Sequence, residues 1–287
     1  MRIDTQTRSN GQGLLSLVAT PIGNFQDMSQ RAIETLKECD VIAAEDTRHS
    51  ARLMQHYDIK TPMIAYHDHS TDRQQAAIIA RLREGEHVAL ISDAGMPVVA
   101  DPGYRLVNAA FEAGASATVI PGPNAALSAL VISGIASDAF TFRGFAPVKG
   151  GARSALLEAA IAAKETQILY ESCHRIQRTV SDLCALAPAR NACIARELTK
   201  QYETIYRGPL ESLVNLLEEN SHDTKGEFVI ILAGAPEATG LDETAKGLLE
   251  ELMKDLPLKR ASAICANIFG GGRSEYYEWG LELKKRG

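Results

Sequence analysis

Short apolar runs alternate along most of the chain with stretches whose apolar residues recur every three or four positions. Residues 14–20 are apolar over a strand's length, whereas Ala32, Ile33 and Leu36 in 29–39 share one side of a helix. The same pattern predicts strands at 41–45, 63–66, 88–91 and 117–120, and helices at 49–57, 73–84 and 104–113. Gly85 and Gly114 follow two of these helices, where a left-handed residue closes the last turn. Strand and helix in strict alternation predict a mainly parallel sheet with helices on its faces.

A second cycle begins after Pro121-Gly122-Pro123, with Asn124 placed to cap a helix at 125–133. Strands at 140–144, 167–171, 192–196 and 227–233, a β-like stretch at 203–207, and helices at 152–163, 174–186 and 210–219 complete it. Residues 234–241, with Pro236 and Gly240, read as a linker. Three helical patterns follow at 243–254, 258–268 and 274–285. The expected domains are 13–123 and 124–234, both α/β, and a small helical module at 242–287.

The 287 residues leave room for that division. No apolar run approaches the roughly 18 residues of a membrane span. Residues 1–12 are polar and lack the apolar core of a signal peptide, so the expected location is the cytoplasm. The five cysteines show no CxxC and no metal-ligand spacing, as free thiols in a reducing compartment do. Cys173 has His174 beside it, but adjacent residues rarely form a nucleophile–base pair. The net charge of −6 is unevenly spread. Residues 143–210 hold ten Lys or Arg against six Asp or Glu, and residues 257–287 six against three. A polyanion can therefore meet a basic face on an acidic protein.

Ligands of parallel α/β sheets sit at the carboxyl ends of the strands. Five such ends carry polar or Gly/Pro-rich loops: residues 20–24, 45–49, 67–69, 92–97 and 121–124. Asp93 and Gly95 offer a carboxylate and an open backbone for an amine or ribose, although Asp93 also suits a simple turn. Neither GxGxxG nor a P-loop occurs. Gly270-Gly271-Gly272 reads as a flexible turn between helices. Asp46, His49, His67, Asp68, His69, Asp93 and Asp101 could together be read as the ligands of a two-metal phosphoesterase, but no dense ligand motif accompanies them. Glu45-Asp46-Thr47-Arg48-His49 is either a salt-bridged helix start or a patch that positions substrate and handles protons. Arg196-Glu197-Leu198-Thr199-Lys200 ends a strand of the second unit and admits the same two readings.

These loops, in order, resemble the ribosomal-RNA-methylating branch of the tetrapyrrole methylase fold family. The resemblance rests on residues 18–24 (Val-Ala-Thr-Pro-Ile-Gly-Asn), 42–49 (Ile-Ala-Ala-Glu-Asp-Thr-Arg-His), 92–97 (Ser-Asp-Ala-Gly-Met-Pro) and 101–104 (Asp-Pro-Gly-Tyr). It continues through 121–123, 144–147 (Gly-Phe-Ala-Pro), 170–175 (Tyr-Glu-Ser-Cys-His-Arg), 195–200 (Ala-Arg-Glu-Leu-Thr-Lys) and 225–227 (Lys-Gly-Glu). The segments at 45–49 and 196–200 separate this branch from the porphyrin-modifying one. Met96 stands where a threonine is common, and Gly270–Gly272 and Glu278 stand where basic residues are usual.

The resemblance implies two α/β domains with S-adenosyl-L-methionine in the cleft between them, and a homodimer. It implies 2′-O-methylation of a cytidine in the decoding region of small-subunit (16S) ribosomal RNA, free or within the 30S particle. Pro21, Gly23, Ser92, Asp93, Ala94, Gly95, Met96, Pro121, Ala125, Tyr170, Glu171 and Ser172 would surround the cofactor. A ribose hydroxyl attacking a sulfonium methyl benefits from a positioned base, for which Glu45, Asp46, His49 and Lys200 are candidates. Arg48, His174, Arg175 and Arg196 would suit phosphate contacts. This chemistry needs no metal, because the leaving group already carries its positive charge. The alternatives are a porphyrin- or corrinoid-type methyltransferase, the metal phosphoesterase, and a non-catalytic RNA-binding scaffold. Basic surface at the cleft distinguishes the first of these, and sensitivity to a chelator the second.

Overall fold

The computed structural model describes residues 11–67, 70–220, 225–236 and 243–286. Two compact units divide the chain, 1–234 and 235–287. The larger holds two five-stranded sheets. The first is built from β1 (Leu14–Val18), β2 (Val41–Ala44), β3 (Met63–Ala65), β4 (His87–Ile91) and β5 (Ser116–Ile120), joined in turn by α1 (Gln30–Glu38), α2 (Thr47–His56), α3 (Asp72–Arg83) and α4 (Tyr104–Glu112). Its strand order is β3-β2-β4-β1-β5, and every pair is parallel, as the alternation predicts.

Right-handed crossovers decide which face each helix covers. The connections β1 to β2 and β2 to β3 run toward one edge, and those from β3 to β4 and β4 to β5 run toward the other. Accordingly α1 and α2 pack with Ile42, Ala44, Ala89 and Ile91 on one face. Helices α3 and α4 pack with Val41, Ala43, Val88 and Leu90 on the opposite face. The alternation of faces at successive residues is the two-residue period of a strand. Local chemistry fixes the helix starts. The Ser29 side chain accepts from Ala32 N, and Thr71 forms a capping box with Gln74.

The second sheet contains β6 (Phe140–Phe145), β7 (Thr166–Ser172), β8 (Asn191–Arg196), β9 (Thr204–Pro209) and β10 (Glu227–Leu232), in the order β6-β7-β10-β8-β9. Only β6 and β7 run parallel. This sheet is therefore mixed, for two reasons. A short loop turns β8 directly back into β9, and β10 returns between β7 and β8. Helices α6 (Gly151–Ala162), α7 (Ile176–Leu186) and α8 (Leu210–Glu219) cover one face through Leu157, Ile176, Val180, Leu183 and Leu213. On the other face lies α5 (Ala125–Ser133), capped by Asn124 as expected. Its Ala126, Ala129 and Leu130 face the sheet, together with Ile22 from the loop after β1, so one apolar cluster ties the first sheet's loop to the second sheet.

The smaller unit consists of α9 (Glu243–Asp255), α10 (Leu258–Phe269) and α11 (Arg273–Arg286) around Ala245, Leu249, Ala261, Cys265 and Tyr276. Gly280 lets α11 approach closely: a Cβ there would lie 2.3 Å from Leu258 Cδ1. The Gly270–Gly272 run does form the turn between α10 and α11, with Gly270 and Gly271 at φ 78° and 83°. Of the expected linker, residues 237–241 lie outside the described residues, as do residues 1–10 of the polar N-terminus.

Candidate active site

Strand β4 lies between β2 and β1, yet the loop after β4 leads to the opposite face of the sheet from the loops after its neighbours. Such divergence opens a crevice at the carboxyl ends of the strands. Thr20 and Gly95 bridge it on one side: Thr20 N donates to Gly95 O at 2.8 Å and Gly95 N to Thr20 O at 3.1 Å. On the other side Asp46 N donates to Asp93 Oδ1 at 3.1 Å, and Asp93 N donates to Glu45 Oε2 at 3.3 Å. Three strand-end loops are thus cross-linked into one rim. The loop beyond Asp93 carries Val98 and Ala100 at φ 74° and 63°. Left-handed backbone at non-glycine residues costs about 1–3 kcal/mol each and gathers at functional sites.

Two cavities meet at this rim. The first, about 480 Å³, is bounded by Glu45, residues 93–96 and 99–101, and by Asn124, Ala125, Phe145, Tyr170, Leu198 and residues 226–229. Tyr170 is fixed there by an acceptor role, since Ala126 N donates to its hydroxyl at 3.2 Å, and by edge contacts with Phe142 and Phe145. Burial pushes the Tyr170 phenol up, so it stays neutral. The second cavity, about 390 Å³, is bounded by Pro21, Gly23, Phe25, His49, Arg52, Ser92 and Lys200. Ile22, Asp93, Ala94 and Glu227 border both.

The expected site residues divide accordingly. Glu45, Asp93, Ala94, Gly95, Met96, Ala125, Tyr170, Glu171 and Ser172 border the first cavity. Pro21, Gly23, Ser92, His49 and Lys200 border the second. Pro121, Asp46, Arg48, His174, Arg175 and Arg196 border neither. Sequence reasoning missed Phe145, Leu198, Arg52 and Glu227. Glu227 was legible only as part of the Lys-Gly-Glu segment, and Arg52 was hidden as one charge in an amphipathic helix.

Lys200 reaches the second cavity on a strained loop, with Glu197 and Thr199 at φ 50° and 65°. Its ammonium sits 2.7 Å from both Glu197 Oε1 and Glu227 Oε2. Burial lowers its pKa, but the hydrogen bonds to the two carboxylates outweigh burial and hold it above the ordinary lysine range. Lys200 is thus a fixed cation, which corrects its candidacy as a proton acceptor. Two glycines make room for this cluster: a Cβ on Gly23 would fall 2.4 Å from Lys200 Cγ, and one on Gly226 would fall 2.6 Å from the Glu197 carboxyl group.

Asp46 has a local task. It caps α2 by accepting from Arg48 N at 2.8 Å, and both its oxygens bind the Arg48 guanidinium. The Arg48 side-chain bond, aided by the backbone one, pulls its pKa from 3.8 to about 2. The carboxyl of a base at neutral pH is poorly served by so low a value. The pair's stabilisation is complete above the ordinary aspartate range and is lost as pH falls through about 2. A carboxyl NMR titration should accordingly place Asp46 near pH 2, and Arg48→Ala should return it to the ordinary range. A midpoint near 4 in the unmutated protein would refute the pairing.

Three further expected side chains are engaged in bonds within the protein. The Glu171 side chain is wholly buried, and although the residue borders the first cavity its oxygens are engaged within the protein: it accepts from Ser172 N, Thr179 Oγ1 and Arg175, at 2.6–2.8 Å, with the buried Arg153 4.0 Å away. Arg175 spends its guanidinium on Glu171, Ala146 O and Ser172 Oγ rather than on phosphate. Arg196 is buried, with its Nε donating to Lys225 O at 2.9 Å. Buried guanidinium groups with such partners order loops; they do not greet a polymer. His174 and Arg48 are exposed. Cys173 borders the first cavity. Among the described residues no three His, Cys, Asp or Glu side chains are grouped to hold a metal ion, and Asp68 and His69 lie outside those residues.

Residues 14–214 match the family model described as Tetrapyrrole (Corrin/Porphyrin) Methylases, and residues 239–284 match the RsmI C-terminal HTH domain. The fold agrees: the X-ray structure of cobalt precorrin-4 methyltransferase, a cobalamin biosynthetic enzyme, superposes with a TM-score of 0.58 at 15% identity, over 79% of this chain and 97% of that one. These features define a methyltransferase of the tetrapyrrole methylase fold. Ribosomal RNA small subunit methyltransferase I of Haemophilus influenzae is 46% identical over 94% of this chain and 96% of its own length. Its counterpart in Pasteurella multocida is 44% identical over 96% and 99%. The chain belongs to the ribosomal RNA small subunit methyltransferase I family, within the tetrapyrrole methylases.

The methyl donor of such an enzyme is S-adenosylmethionine, and the first cavity suits it. Its apolar wall of Ala125, Phe145, Leu198 and Val229 fits a flat aromatic base, and Asp93 and Glu45 offer carboxylates to an amine or a ribose. Gly95 allows backbone approach without a side chain. No helix among the described residues is long and apolar enough to cross a membrane.

Proposed function

We propose that this enzyme methylates the ribose 2′-hydroxyl of a cytidine in the decoding region of small-subunit (16S) ribosomal RNA. The observation that carries this reading is the shared wall of two unlike cavities. One is largely apolar and suits the cofactor; the other is lined by His49, Arg52 and Lys200 together with Asp93 and Glu227, and suits a ribonucleotide. Asp93, Ala94, Gly95, Met96, Ala125, Tyr170 and Ser172 enclose the donor, and Pro21, Gly23 and Ser92 line the adjoining acceptor cavity. Bound there, S-adenosylmethionine supplies an activated methyl group on a positively charged sulfur. The ribose oxygen must approach to roughly 3 Å in line with the methyl–sulfur bond. A nucleotide splayed out of its helix is required, since the ribose has to enter a cleft. Lys200, held by two carboxylates, orients the nucleotide, with His49 and Arg52 beside it; Arg48 and His174 lie outside the cavities, exposed for flanking phosphates.

The two sheets act as two domains, 13–123 and 124–234, with 242–287 as an accessory module for RNA. The enzyme works in the cytoplasm as a homodimer. Helix α5 supports the last point, because it is apolar on both sides and leaves Leu127, Val131 (84% exposed) and Ile132 uncovered.

The test is methyl transfer from labelled S-adenosylmethionine to naked small-subunit RNA and to assembled 30S subunits, followed by mapping of the modified nucleotide. A single 2′-O-methylcytidine, formed equally well with a chelator present, is the expected product. Binding to single-stranded RNA should weaken with salt, with a logarithmic slope near −0.7 per phosphate contact. A label confined to a base, a porphyrin or protein would overturn the reading.

A further inference from the structure

We propose that Glu227 accepts the proton of the ribose hydroxyl, an assignment that rests on the RNA-methylating function above. The carboxylates at the junction of the two cavities are unequal. Asp46 borders neither cavity and is occupied on both oxygens by Arg48. Glu45 borders only the donor cavity, and its Oε2 accepts from Asp93 N. Asp93 borders both and likewise has one oxygen, Oδ1, fixed, but by the backbone amide of Asp46 within the rim rather than by a cation. Glu227 borders both, is exposed in its side chain (76%), and has one oxygen, Oε2, fixed by Lys200 at 2.7 Å. Its other oxygen has no partner among the described residues.

The backbone of Glu227 is as firmly set as its carboxylate. Its N–H donates to Glu197 Oε1 at 3.0 Å, and its carbonyl accepts from Glu197 N at 2.9 Å, across the left-handed Gly226. A carboxylate with one oxygen pinned by a cation and the other open, at the border between donor and acceptor, is placed to take a proton in the transition state. The step balances. The ribose 2′-oxygen forms a bond to the methyl carbon, the methyl–sulfur bond breaks with its electron pair on sulfur, and the hydroxyl proton passes to Glu227 and then to water. The products are the 2′-O-methyl nucleotide and S-adenosylhomocysteine. Lys200 aims the carboxylate and stabilises the negative charge that develops on the oxygen.

The test is single-turnover methylation of 30S subunits at saturating S-adenosylmethionine, with cofactor affinity measured by calorimetry. Glu227→Gln should lower the rate about 10²–10⁴-fold, the usual contribution of a general base, with cofactor affinity unchanged. Glu227→Asp should recover part of the rate. Formate added to Glu227→Ala should also restore part of it, because a free carboxylate can replace the missing one. Glu197→Gln is the comparison: Glu197 binds the same lysine but borders neither cavity, so its loss should cost less and formate should not help. Wild-type rate in Glu227→Gln, or losses equal in the Glu227 and Glu197 variants with no formate rescue, would overturn the assignment and leave the RNA-methylating function standing. Failure of the wild-type enzyme to methylate either naked small-subunit RNA or 30S subunits would overturn that function and this assignment with it.

Discussion

Gly95→Val should abolish S-adenosylmethionine binding while the circular dichroism spectrum stays that of the folded protein. Gly95 has φ 83°, and a Cβ there would point at Ile22 Cγ2 and Pro123 O, 3.3 and 3.6 Å away. The space is tight rather than closed, so the main conflict is conformational. A β-branched residue in left-handed backbone costs about 1–3 kcal/mol. The loop can relieve that strain only by leaving its two-way hydrogen bonds with Thr20, which hold it as the wall between the loops after β1 and β4. Because each 1.4 kcal/mol is about tenfold in affinity, strain and a lost wall together should weaken the cofactor at least about 100-fold in calorimetry. Retained affinity would remove this loop from the donor site.

The second large effect is on stability. Glu171→Ala leaves the buried Arg153 and the largely buried Arg175 without their shared carboxylate. Removing one partner of a buried ion pair costs about 3–5 kcal/mol, since the remaining charge is neither paired nor hydrated. Arg153 keeps Asp182, at 2.9 Å, so the lower part of that range is expected. For a unit of this size each kcal/mol moves the melting temperature by about 2–4 °C, which gives a drop of about 6–12 °C. The same network tethers Ala146 and Pro147 to the loop at 172–175, beside Phe145 and Tyr170 in the donor cavity. Cofactor affinity should therefore fall along with stability. A melting temperature within about 2 °C of wild type would mean that both arginines find other partners.

Periodicity made nearly all of the fold legible. Buried strands such as residues 88–91 and one-sided helices such as α1 differ in period, and the cap at Asn124 marks where α5 begins. Strand direction in the second sheet was not legible, because β8–β9 and β10 look like parallel strands when only their apolar runs are read. The short 3₁₀ turn at Phe25–Asp27 was also hidden, being too brief for any period. At the site, position at a strand end correctly singled out Asp93, Gly95 and Lys200 as cavity-lining. It could not tell an open charge from one spent on a neighbour. Arg175, Arg196 and the Glu171 side chain carry charges suited to a ligand, yet each is consumed by bonds within the protein. Glu227 shows the reverse error: it begins a strand antiparallel to its neighbours, so the site lies at its amino end, where the strand-end rule does not look.

In the proposed reaction, donor and acceptor occupy adjoining cavities and meet at Asp93 and Glu227. A crystal structure of the enzyme with S-adenosylmethionine tests this arrangement most directly. The adenine ring should lie against Ala125, Phe145 and Val229, with the methyl group directed through the junction toward Lys200 and His49. Adenine in the cavity of His49 and Arg52, or a methyl group directed away from Glu227, would contradict the account.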